Sequence, residues 1–210
     1  MRALGIDACM AVFEGVRVSN RSNPLERRKR EALHSIRTCD PDAHPFLAGY
    51  RELYRQLGVV EEVIPPAQHL IVLVQAGGRL PNINTAVDCY NLVSALTGLS
   101  MGAHDLACLK GDLRMALTRG DERYTPLGET LPAKVRPGEY ACMDEERIVC
   151  RLDVRQCQQT RVTRSTAAFL VYVQGCRAVP QAVLEGALNQ LSRLVIEICG
   201  GTVLAADVAR

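Results

Sequence analysis

From Asn82 to His104 the chain carries a single formally charged side chain, Asp88. Apolar residues recur through this stretch at helical spacing, with Ile83, Ala86, Val87, Tyr90, Val93 and Thr97 on one face. Asn84, Asp88 and Asn91 follow at i, i+4 and i+7, so the same helix presents a polar column on another face. An outward helix face is ordinarily Lys, Glu and Arg. A column of two carboxamides and one carboxylate therefore lines a pocket, or forms a buried polar network that ties the helix to neighbouring loops.

Punctuation around this helix predicts the other elements. Leu4 to Val18 is extended, and Asn23-Pro24 opens a helix over Leu25–Arg37. Further helices run from Pro45 to Leu57 and from Pro65-Pro66 to Gly77-Gly78, and Pro180 opens one that Gly200-Gly201 stops. In that last helix Val183, Ala187, Leu191, Leu194, Val195 and Ile198 form the core stripe. Ser100 to Asp105 reads as a short turn. Strands are expected at Leu113–Thr118, Glu139–Met143, Arg147–Leu152, Ala167–Val173 and about Thr202 to Ala206. Strands grouped together with helices around them make an α+β fold, a mixed sheet packed with helices. One domain is the default for 210 residues. Residues 1–40, a strand and a basic helix, belong to it together with 41–210.

Composition excludes several classes. With no Trp and 4% aromatics, bases are not read by aromatic stacking, and no DNA is expected as a partner. Nine cysteines lack the paired spacings of structural zinc sites, and their odd number with no opening secretory signal fits reduced thiols in a cytosol. No metal or cofactor is implied, and no apolar run is long enough for a membrane. No G-x-S-x-G, Walker loop, dinucleotide fingerprint or His-x-x-x-His is present.

Three groups of residues could carry chemistry. Arg151, Asp153 and Arg155 alternate, so on a strand they share a face, either as a ligand site or as a salt-bridge ladder. Gln158, Thr160 and Thr166 add uncharged donors and acceptors beside them. His104-Asp105 is the one adjacent imidazole and carboxylate, suited to position or deprotonate water. Arg27, Arg28, Lys29 and Arg30 make the first helix basic, as a solvated face or as a surface for phosphates.

Asn84-Thr-Ala-Val87-Asp88-Cys-Tyr-Asn91 resembles the V-D-x-x-N helix of the B3/4 editing domain in the phenylalanyl-tRNA synthetase beta subunit. Gly98-Leu-Ser-Met101-Gly-Ala103-His104-Asp105-Leu106 resembles that family's following turn, and Leu194-Val-Ile-Glu-Ile-Cys-Gly200-Gly201 its closing helix. Gly49-Tyr-Arg51-Glu-Leu-Tyr-Arg55, Leu80-Pro81-x-Ile83-Asn84 and the segment 151–156 are similar to freestanding members. The resemblance implies a single B3/4-type domain that hydrolyses mischarged aminoacyl-tRNA in trans, including tRNA carrying a non-protein analogue such as an arginine analogue. It implies tRNA as partner and the cytoplasm as location. A non-catalytic module that binds tRNA or an amino acid is the alternative.

Within that resemblance His104, Asp105 and Asn91 are the catalytic candidates. Asn84, Asp88, Tyr90, Arg151, Asp153, Arg155, Gln158, Thr160 and Thr166 are the substrate-binding ones, and Arg27, Arg28, Lys29 and Arg30 face tRNA. The family's pocket histidine aligns with Gly102, its strand-end glutamate with Tyr172, and its glycine-rich wall with Leu152–Cys157. Asp153 then suits a cationic side chain or an α-amino group. All of this requires the column at 84–91 to face a cavity shared with the segment at 151–160.

Overall fold

The computed structural model describes residues 2–59 and 63–209. Strand β1 (Asp7–Glu14) is followed by helices α1 (Asn23–Thr38), α2 (Pro45–Gln56), α3 (Pro66–Gln75) and α4 (Thr85–Thr97). Then come β2 (Ser100–Asp105), β3 (Arg114–Leu117), β4 (Tyr140–Met143), β5 (Ile148–Arg151), β6 (Arg155–Gln156), β7 (Ala168–Gly175), α5 (Gln181–Cys199) and β8 (Thr202–Ala209). The class is α+β. The sheet expected as one mixed sheet is two, of order β2-β7-β1-β8 and β3-β4-β5-β6, each antiparallel in every pairing.

Side chains alternate across the first sheet and sort its two faces. Cys9, Ala11 and Phe13 of β1, with Phe169, Val171 and Val173 of β7, join the main core beneath the helices. Phe13 and Phe169 stack there with centroids 5.3 Å apart. Met10, Val12, Leu170 and Tyr172 point the other way, against Cys142 and Cys150 of the second sheet and Leu113 just before β3. The layers are thus helices, first sheet, second sheet. The last is backed by a small cluster of its own around Tyr124, Ile148 and Cys157.

The charge-poor segment is explained by the position of α4, which packs on α1, α3, α5 and β2. Nine of its residues are buried, so a charge there would lose its water. Asn84 caps the helix: its Oδ1 accepts from Val87 N at 3.0 Å. Gly98 closes it at φ 70°, where a Cβ would also strike the His44 ring.

Two local expectations fail. Ser100–Asp105 is a strand buried along its whole length, β2, and not a turn. Gly102 and Ala103 have little strand propensity of their own; pairing with β7 imposes the conformation. Nor do residues 151–155 form one strand. The chain reverses after Arg151 through Leu152 at φ 51°, an uncommon conformation for a branched residue, and β6 returns along β5. Arg151, Asp153 and Arg155 therefore do not share a face.

Candidate functional site

A cleft of about 810 Å³ lies between the two sheets, within the ordinary range for small-ligand sites. Met10, Leu113, Met115, Cys142, Leu170 and Tyr172 supply most of its wall, with Leu152 and Gln174 toward the turn after β5. Its lining is largely apolar and sulfur-rich, with Asp7 and Arg114 as its charged members. Burial pushes the Cys142 thiol up to about 12 and the Tyr172 phenol well above its usual range, so neither ionises near neutrality.

Behind this wall sits a polar cluster centred on Asp153, which is 4% exposed. Its carboxylate accepts from the hydroxyls of Tyr54, at 2.5 Å, and of Tyr140 and Ser100. Gln174 Nε2 donates to Tyr140 Oη at 3.0 Å, and Tyr50 donates to the Gln174 carbonyl while accepting from Ser100 N at 3.1 Å. Burial, then the Asp153 charge, holds the phenols of Tyr50, Tyr54 and Tyr140 well above their usual range, so each stays a donor. Three hydroxyls take the place of a counter-cation. Asp153 is thus occupied, and the expectation that it meets a cationic substrate group is corrected.

The remaining candidates fall into two further buried clusters. His104, 0% exposed, has Nδ1 2.8 Å from Thr160 Oγ1, and Thr160 Oγ1 lies 3.1 Å from Cys157 Sγ. The imidazole stacks on Tyr172, and its Nε2 has no hydrogen-bond partner among the described residues. Asp105 accepts from Ala107 N at 3.0 Å and from the Thr166 hydroxyl at 2.5 Å. On the helical side, Asn84 Nδ2 donates to the Val162 carbonyl at 3.1 Å. Asp88 accepts from Ile83 N at 2.9 Å and from Lys29 Nζ at 3.1 Å. Tyr90 packs against the main core, and Asn91 is half-buried.

None of these residues lines the cleft, and neither does any part of α4. The helix packs in the layer behind the first sheet, and the column at 84–91 contributes nothing to the wall of this cleft. Arg151 is forked onto Glu139 with both bonds at 2.6 Å, and Arg155 reaches Leu127 O and Glu129. Gln158 Oε1 accepts from Gly128 N at 2.9 Å. The basic helix is likewise corrected at Lys29, which is 5% exposed and bonded to Glu26, Pro81 O, Asn82 and Asp88. Arg28 is forked onto Glu197, and Arg27 lies 3.7 Å from Glu31. Arg30 is exposed and makes no ion pair among the described residues.

Burial holds His104 down to about 4. A histidine whose folded pKa is depressed binds fewer protons folded than unfolded between that value and about 6.5. Its contribution is therefore complete above about pH 6.5 and declines as pH falls through that window, by on the order of 3 kcal/mol in all. Urea unfolding at about pH 7 and about pH 4.5 is expected to show this loss. His104→Gln, which cannot titrate, should remove most of the difference.

The cleft residues were missed because they lie on five strands. A signal for them does exist in β7, where Leu170, Tyr172 and Gln174 alternate with Phe169, Val171 and Val173. Two polar side chains at every-second spacing in a buried strand mark a face that meets something other than the core. Gly102 belongs to the same surface: a Cβ there would come within 2.4 Å of the Tyr172 hydroxyl and of Gln156 Nε2. Tyr172 thus fills the space in front of Gly102. Among the described residues, no group of three or more His, Cys, Asp or Glu side chains is gathered as a metal site, and the nine cysteines are free.

Two antiparallel sheets face one another across a cleft, with helices covering one of them. This chain belongs to the B3/4 domain family, whose profile matches residues 53–200, more than half of its length. Among solved structures it is similar to an N-terminal fragment of the phenylalanyl-tRNA synthetase beta subunit from Pyrococcus horikoshii, at 12% identity and a TM-score of 0.53. That match covers 97% of this chain and 50% of the fragment, so the chain spans half the fragment's length and the likeness is one of fold. No curated protein matches the chain. No helix among the described residues is long and apolar enough to cross a membrane.

Proposed function

We propose that this protein hydrolyses the ester of mischarged aminoacyl-tRNA in trans, with the aminoacyl group held in the cleft between the sheets. The observation that carries this reading is the cleft itself, a ligand-sized opening in a chain of the B3/4 family. An aminoacyl ester is already activated, so holding it and a water in attack geometry does much of the work. Such placement can supply about 7–11 kcal/mol of a barrier. His104 is fully buried, and Asp105 and Asp153 are held in their own hydrogen bonds, which disfavours all three as a general base. The tRNA's terminal hydroxyl then assists the water, and the protein supplies position. Arg27 and Arg30 remain on the exposed face of α1 for phosphates.

A second reading, capture of a charged tRNA without turnover, is favoured by one observation. His104 and Asp105, nominated for handling the water, are both outside the cleft wall. A deacylation screen over correctly and incorrectly charged tRNAs separates the two. Hydrolysis is expected to release the amino acid from one mischarged species far faster than from its correctly charged counterpart. Protection of every ester from spontaneous loss, without release, would establish the binding module instead. Asn91→Ala, outside the cleft, is expected to leave that selectivity intact.

A further inference from the structure

Donor and acceptor counting fixes the orientation of one side chain in the cleft. As a carboxylate Asp153 can only accept, so the Tyr140 hydroxyl proton is committed to it. The Tyr140 oxygen must then receive a hydrogen, and Gln174 supplies it from Nε2. That places the opposite end of the amide, Oε1, away from Tyr140. Gln174 is part of the cleft wall, and its Oε1 accepts no hydrogen bond among the described residues. As part of the cleft wall, Gln174 offers Oε1 as an acceptor that cannot turn into a donor without breaking the chain back to Asp153.

We propose that Gln174 Oε1 receives the α-ammonium of an aminoacyl group whose own side chain is uncharged and apolar. This rests on the deacylase reading only in taking the ligand to be an amino-acid ester. A fixed acceptor favours a ligand with hydrogens to give, and an ammonium offers three. The neighbouring wall, Met10, Met115, Leu113, Leu170 and Cys142, accommodates thioether and branched aliphatic groups by contact. None of these five residues carries a charge; the charged members of the lining, Asp7 and Arg114, are exposed and opposite in sign, and Asp153 is occupied behind the wall. A lysine- or arginine-like side chain laid against that apolar wall would lose water without a counter-charge among those five residues.

Amino-acid methyl esters test this without tRNA or turnover. Binding to the intact protein is followed by ligand-observed NMR with methionine methyl ester, N-acetylmethionine methyl ester and lysine methyl ester. The methionine ester is expected to bind, with the acetylated and lysine esters weaker by about tenfold or more, the scale of one lost hydrogen bond to a charged group. Gln174→Ala should weaken the methionine ester by a similar factor. Tyr140→Phe keeps Gln174 but frees its amide to turn, so it should erase the preference for the free amine over the acetylated one. Equal binding of the free and acetylated esters, a lysine ester as tight as methionine, no binding of any ester, or preferences unchanged in both variants would each overturn the assignment. Deacylation of charged tRNA combined with any of these results would leave the deacylase reading standing. Ester selectivity as expected, with no deacylation of any tRNA, would do the reverse.

Discussion

Asp153→Ala is expected to melt roughly 6–12 °C below the parent, taking about 3 kcal/mol of lost stability and 2–4 °C per kcal/mol for a domain of this size. The carboxylate is the common acceptor for Tyr54, Tyr140 and Ser100, all buried. Its removal strands three hydroxyls in a place water does not readily reach, each of which lost a bond to a charged group. The effect also reaches the cleft, because Tyr140 then has no reason to keep its proton directed away from Gln174. Asp153→Asn keeps one acceptor oxygen and should lose distinctly less. Differential scanning calorimetry of the three proteins checks the order; an alanine variant as stable as the parent would show that the hydroxyls find other partners.

Lys29→Met is the second large effect. It leaves Asp88, 2% exposed, without its cation. Breaking one side of a buried pair typically costs about 3–5 kcal/mol, whereas neutralising both sides is often nearly free. Lys29→Met with Asp88→Asn is therefore expected to regain most of what the single variant loses, as measured by urea unfolding. The sign of the pH dependence follows from Asp88, whose pKa burial already raises against the Ile83 N–H and the Lys29 charge. Without Lys29 it rises further. A carboxyl with a raised folded pKa binds more protons folded than unfolded, so its penalty is complete above that pKa and fades as the pH falls toward about 4. The gap between variant and parent should then be widest near neutrality and narrow on acidification. A gap independent of pH would assign the loss to packing around the lysine stem.

The helices were legible because their signals are local. Asn23-Pro24, Pro45, Pro65-Pro66 and Pro180 open α1, α2, α3 and α5, and Gly98 and Gly200 end α4 and α5, each through backbone geometry that a residue carries with it. The polar column at 84–91 was legible as a pattern but not as a role. Asn84 and Asp88 are indeed polar groups out of water, and what they meet is a helix end, a loop carbonyl and Lys29. The same pattern could line a pocket, since spacing says which side chains point together and not what stands opposite.

β2 and the turn after β5 were not legible. Ser100–Asp105 becomes a strand because β7 lies beside it, and Leu152 turns the chain although nothing in its type requires that. The cleft belongs to the same category, since its wall joins β1, β3, β4, β5 and β7 across more than 160 positions of sequence.

By itself the sequence determined the helices, the α+β class and the resemblance to the B3/4 family, because these rest on residue chemistry and order along the chain. The tertiary structure alone decided that Asp153 answers to three hydroxyls, that Lys29 is buried, and that Gln174 faces a cleft. Hydrogen bonds and burial depend on what is near in space, and nearness between distant segments is set only when the sheets and helices pack.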